Sequence, residues 1–197
     1  MSTDAPASRP EPTVVVVAGN PREGSRTLQA ARTAAQAVAA HVGGTVTTTV
    51  DLAAVAGELF AGQRPRVDAA LGALADSDVA VIATPVYKAS YTGLLKSFLD
   101  LYGPDGLAGV VVVPLVVSGN PAHALVGEVH LRPVLVELGA VVPTRALTVT
   151  EADLADPAGL DRAVDAWLAR GGDALRRAVG QPVGQSAADL DLAEAAR

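Results

Sequence analysis

The chain contains no cysteine, which excludes a disulfide framework and thiolate chemistry. Aromatic residues make up only 3% of it although half of its 197 residues are hydrophobic, so Ala, Val and Leu must fill the core. No run of 18 uninterrupted apolar residues occurs, so no transmembrane helix is expected. The first residues, MSTDAPASRPEPT, are polar and lack the apolar centre of a signal peptide. The formal charge of −6 argues against nucleic acid as a partner, because neutralising phosphates needs a basic field. Lysine is scarce too: of fifteen basic residues only Lys88 and Lys96 are lysines, and they lie close together. These absences point to a soluble cytoplasmic protein long enough for one domain with a substantial core.

What is present alternates. Val-rich, nearly continuous apolar runs at Thr13–Ala18, Val46–Leu52, Val79–Thr84, Gly109–Val117 and Val141–Val149 read as parallel strands buried on both faces. Pro143 inside the last run suits an edge strand. Helical patterns over Ser25–His41, Arg66–Ala75, Tyr91–Tyr102, Pro121–Leu138 and Leu160–Val179 fall after each strand. Strand and helix alternating five times predict a doubly wound α/β fold, and five strands favour the flavodoxin-like order 2-1-3-4-5. Residues 13–180 form this single domain, flanked by a disordered arm at 1–12 and a flexible tail at 181–197 that could form a short helix.

The stretch VVVVAGNPREGSRTLQAAR, Val14 to Arg32, passes from a buried strand through a loop of small residues into an Ala-rich helix. A helix starting near Ser25 leaves its first N–H groups unpaired and carries partial positive charge there. Small residues let an anion approach those amides, while Ser25 and Thr27 offer hydroxyls and Arg22 and Arg26 offer forked charged donors. Neither G-x-G-x-x-G nor G-x-x-x-x-G-K-[ST] is present. The same residues also suit an ordinary Gly-containing turn with Ser25 as N-cap.

Two more loops at the same edge of the sheet carry polar or aromatic residues. ATPVYKASYTGLLKSFLD follows the third strand and SGNPAHAL follows the fourth, with LRPVLVELGA further on. With GNPREGSRT, these stretches resemble the NADPH-dependent FMN reductases of the flavodoxin-like superfamily. Among those they look closest to the reductases that feed alkanesulfonate-type monooxygenases. The resemblance runs from Val14 to Leu138 and is most specific at Thr-Pro-x-Tyr followed by Gly-x-[LI]-K.

It implies an FMN phosphate on Asn20, Arg22, Ser25, Arg26 and Thr27. It implies an isoalloxazine ring against Pro85, Val86, Tyr87 and Lys88, with Ser118 and Gly119 near the far edge. NADPH or NADH would be the hydride source and the flavin would do the chemistry, with no metal and no general base. Backbone N–H groups near Val86–Lys88 would stabilise charge on the reduced ring. A homodimer or homotetramer built on the helices after strands three and four is also expected, since Leu, Val and Phe cover most of both circumferences. The sequence departs from its relatives at Arg26, where many have Asn, and at Asn120, where many have a second Gly. Val129, followed by His130, stands where sulfonate-system reductases carry an extra aromatic. Other readings use the same scaffold: a reductase of quinones, azo compounds or metal ions, or a flavodoxin-type electron carrier. Tyr87 and Tyr91 also suit helix-entry packing. The single Trp167, in the last helix, is far in sequence from the loops that would flank a flavin.

Overall fold

The computed structural model describes residues 11–180. The expected tail at 181–197, and all of the expected arm but its last two residues, lie outside that range. Pro12, counted in that arm, is buried and accepts a hydrogen bond from Thr45 N–H at 2.9 Å.

The elements follow in chain order as β1 (Thr13–Ala18), α1 (Arg26–Val42), β2 (Thr45–Asp51), α2 (Leu52–Val55), α3 (Pro65–Ala75), β3 (Val79–Pro85), α4 (Gly93–Leu99), β4 (Val111–Ser118), α5 (Arg132–Glu137), β5 (Leu147–Thr150), α6 (Glu151–Ala155) and α7 (Gly159–Ala178). The five strands are all parallel, in the order β2-β1-β3-β4-β5 predicted from the alternation. The two central strands β1 and β3 read as unbroken apolar runs because helices cover both their faces. Val14 and Val16 face α1 and α7 through Ala30, Ala31, Ala34, Val38, Val164 and Trp167. Val15 and Val17 face the other helical layer through Val67, Leu74, Leu95, Phe98, Leu131 and Leu135. Alanine on α1 is what lets that helix lie close to the sheet.

Besides the added short helices α2 and α6, three elements differ substantially from their expected bounds. The last strand is shorter than Val141–Val149: Arg132 donates to the carbonyls of Val142 and Thr144, and Val141 keeps only an isolated parallel bridge to Val111. The helix expected over Tyr91–Tyr102 begins instead after its N-cap Thr92 and ends at Leu99. The helix expected over Pro121–Leu138 is three pieces, a 3-10 turn at Pro121–His123, a π-helical turn at Gly127–Leu131, and α5. Pro133 has no N–H to continue an α-helical ladder across this junction, and Arg132 N–H bonds instead to Gly127 O, five residues back.

Glu128, within the wide turn, accepts from the Arg132 guanidinium at 2.6 Å and from Ala146 N–H at 2.6 Å. Burial works against its ionisation, but the Arg132 and Ala146 bonds outweigh it and hold the carboxyl below its usual range. Gly127 packs against the chain leading into β5, where a Cβ would stand 2.4 Å from Ala146 Cβ and 3.2 Å from Val116 Cγ2. Gly127→Ala should therefore overpack the junction and cost about 1–3 kcal/mol, read as a lowered urea midpoint with unchanged m-value.

Candidate functional site

The ends of β1, β3 and β4 lie side by side because these strands are neighbours in a parallel sheet, and their loops emerge at one edge. Hydrogen bonds stitch them together. Gly19 N–H donates to Ala83 O at 2.8 Å, and Val86 N–H donates to Val117 O at 3.0 Å. The buried Thr92 hydroxyl accepts from Leu95 N–H, capping α4, and donates to Gly19 O at 2.5 Å. Thr92 N–H in turn donates to Thr84 Oγ1 at 3.1 Å. A Cβ at Gly19 would come within 2.6 Å of Leu95 Cβ, so glycine is what lets α4 approach the first loop.

In that loop Ser25 caps α1 by accepting from Leu28 N–H at 3.2 Å. The Arg26 and Thr27 amides open the helix with no carbonyl partner among the described residues. Asn20 shapes the loop from inside, accepting from Arg22 N–H at 2.9 Å and donating to Thr27 Oγ1 at 3.0 Å. Thr27 is buried, whereas Arg22 and Arg26 are exposed. The predicted cradle thus divides into Asn20 and Thr27, which brace the loop, and Arg22, Ser25 and Arg26, which stand at its surface.

The second loop is a tight reversal in which Tyr87 N–H donates to Ser90 O and Ser90 N–H to Tyr87 O. Its two central residues, Lys88 (φ 51) and Ala89 (φ 60), both adopt left-handed backbone. Such turns favour Asn-Gly, so Lys-Ala here stores strain in an exposed loop. Pro85 is buried at the end of β3, Val86 is half-buried, and Tyr87 is 47% exposed. The Val86 and Tyr87 amides, expected to face a ring, are committed to Val117 O and Ser90 O. The Lys88 and Ala89 amides at the tip pair with no backbone carbonyl among the described residues.

At the third loop Ser118 is buried, and its hydroxyl donates to Asn120 O and accepts from Asn120 N–H. It shapes the turn, and only Gly119 of the predicted pair is exposed. Trp167 is buried in the layer of α1 and α7, where Nε1 donates to Arg145 O at 2.7 Å.

The sequence reading missed four contributors. Thr84 and Thr92 read as ordinary strand-end and helix-entry residues. Asp51 accepts from Gly24 N–H at 2.9 Å, and Glu151 contacts Arg26 Nη1 at 2.6 Å, although both acids are distant in sequence, Asp51 ending β2 and Glu151 opening α6. Only the topology brings them to the loop, and no local motif signals them.

The edge as a whole has the chemistry an FMN group requires. Charged donors and unpaired helix amides stand at one loop, and an exposed turn and a glycine stand at the two next to it. A cleft of about 1000 Å³ lies elsewhere, between the turn after β4, the lead-in to β5 and α7.

Comparison with known proteins is consistent with this geometry. Residues 12–153 match the family described as NADPH-dependent FMN reductase. An FMN reductase (NADPH) from Pseudomonas aeruginosa is 33% identical over 148 residues, 71% of this chain and 77% of that protein. An FMN reductase (NADPH) from Escherichia coli is 48% identical over 67 residues, 34% of this chain, and the match spans only 35% of that relative's length. The crystal structure of an NADH:FMN oxidoreductase, in its apo form, superposes with a TM-score of 0.67 at 31% identity, covering 81% of this chain and 90% of that one. On the match across 12–153, the chain belongs to the NADPH-dependent FMN reductase family.

Proposed function

We propose that the protein is an NAD(P)H-dependent FMN reductase acting in the cytoplasm, and that it supplies reduced flavin to a partner monooxygenase. The observation that carries the reading is the stitched edge itself. The Thr92–Gly19 bond holds the first loop, with its arginines and helix-start amides, beside the exposed 86–90 turn. Arg22, Ser25, Arg26 and the first amides of α1 would hold the phosphate, while Tyr87, Lys88 and Gly119 would line the ring. Pro85, Val86 and Ser118 would support those groups from below.

When bound, FMN supplies the hydride-accepting ring, so the protein's own work is to orient it and leave one face open. The Lys88 ammonium and the tip amides of the turn are the groups available to stabilise negative charge at that ring. Two observations disfavour an electron carrier that sandwiches its flavin between aromatics. Trp167 is locked into the core, and Tyr91, next to the reversal, packs partly buried against the other core layer, which leaves Tyr87 as the exposed ring of the turn.

We also infer a homo-oligomer. The expectation divides between the two helices. On α4, Leu95, Phe98 and Leu99 are buried, so its apolar excess is spent within the chain. Beyond β4 the excess is exposed: Leu125 at 66%, Val129 at 61% and Val136 at 55%, with Val129 one turn on from Leu125 through its N–H bond to the Leu125 carbonyl. A second copy covering that face would complete a closed symmetric pair.

Three outcomes follow. Ser25→Ala with Arg26→Glu should weaken FMN binding by about tenfold or more while leaving riboflavin binding unchanged, as read by flavin fluorescence titration. Unchanged FMN affinity would remove the phosphate from the first loop. With FMN added, NADPH absorbance at 340 nm should decay faster than NADH absorbance, and both faster than an enzyme-free blank. A bound flavin with no nucleotide oxidation would leave the electron-carrier reading standing. Light scattering should give a multiple of 19.8 kDa, and Leu125→Asp with Val129→Asp should return the monomer mass.

A further inference from the structure

The cradle that would receive a phosphate is already supplied with carboxylates. Asp51, at the end of β2, accepts from Gly24 N–H through one oxygen and from Ala53 N–H through the other. Glu151, the first residue of α6, lies on the opposite side and contacts Arg26 Nη1 through Oε2 at 2.6 Å. Its stem runs beside the third loop, since a Cβ on Gly119 would be 3.7 Å from Glu151 Cγ. A capping box between Thr150 and Asp153 anchors α6 and so fixes the backbone from which Glu151 reaches. Glu23 stands exposed within the first loop itself. Two arginines against three carboxylates leave these side chains with a formal charge of 2 − 3 = −1 where a dianion should bind. Helix-start amides still favour an anion there, but much of the arginine charge is spoken for.

The two acids tied into hydrogen bonds or salt bridges are not equivalent. Asp51 holds two backbone amides and so maintains the loop's shape, and removing it would rearrange the cradle. Among the described residues the Glu151 carboxylate contacts only the Arg26 side chain, itself 62% exposed, so neutralising it leaves the loop in place and frees a guanidinium.

We propose that Glu151 is an internal competitor of the FMN phosphate for Arg26 and so weakens the hold of the first loop on that phosphate. The inference rests on the reading that the first loop receives the phosphate. An arriving phosphate must share Arg26 with Glu151 or displace it, and either course weakens the hold. Riboflavin has the same ring and ribityl chain without the phosphate, and it does not meet this competition. Because both partners reach solvent, screening limits the effect to about 2- to 5-fold in affinity.

Flavin fluorescence titrations of the full chain with FMN and with riboflavin test this. Glu151→Gln should tighten FMN binding about 2- to 5-fold and leave riboflavin unchanged. The gain should shrink in roughly 1 M salt, where the screening length is about 3 Å. Glu151→Ala should shift affinity in the same direction, which guards against a peculiarity of the amide. FMN affinity equal to or weaker than that of the parent protein would overturn the proposal, and weaker affinity would make Glu151 a positioning residue for Arg26. Equal tightening of FMN and riboflavin would also overturn it, because the effect would not run through the phosphate. The Ser25→Ala, Arg26→Glu protein separates the two levels. If it loses FMN affinity while Glu151→Gln gains none, only the competition fails. If it binds FMN like the parent, the phosphate placement fails and the competition falls with it.

Discussion

The Thr92 hydroxyl joins what the backbone keeps apart. It accepts the Leu95 amide that opens α4 and donates to the Gly19 carbonyl that closes β1. Gly19 is tied to β3 by its own amide, and Thr84 receives the Thr92 amide from the other side. All of these groups are buried, so a lost bond would leave a polar atom without water to replace its partner. The spacing between the first loop and the 86–90 turn depends on this knot. A ligand placed as proposed, with its phosphate at the loop and its ring at the turn, would need that spacing kept.

Strand order, the two-layered core and the position of the first loop were legible in the sequence because each follows from a local rule. Continuous Val runs mark strands covered on both faces, and a small-residue loop before an amphipathic helix marks β1 to α1. The site was legible only at its surface. Arg22, Ser25, Arg26, Tyr87 and Lys88 fall at the predicted edge, but Thr27 and Ser118 turned out to spend their hydroxyls on the loops that carry them. Side-chain type alone does not distinguish a hydroxyl offered outward from one bonded inward. Asp51 and Glu151 could not be read at all, since one reaches the cradle from the end of β2 and the other from the start of α6, just past β5 at the opposite edge of the sheet. The break of the helix after β4 was not read: one helix was expected across Pro133, and no residue type signals that the chain widens by one residue there.

The reversal at Lys88 and Ala89 shows the same division between local preference and global demand. A hairpin turn of this kind ordinarily recruits Asn-Gly, and here the sequence places a long cation and a methyl in left-handed backbone. Paired bonds between Tyr87 and Ser90 hold the conformation against its local cost. That cost is tolerated where the turn presents an ammonium and two free amides together.

Trp167 gives the molecule a built-in optical reporter. It is the sole indole, and its emission therefore comes from one known environment: the core between the sheet and α7, with Nε1 bonded to the Arg145 carbonyl. Loosening of α7 from the sheet would expose the ring to water and shift its emission to longer wavelength, without contributions from other tryptophans. A flavin at the loop edge would dim the same emission through space, by resonance transfer rather than by touch. One chromophore thus separates opening of the core, read as a colour change, from occupancy of the distant edge, read as a loss of intensity at constant colour.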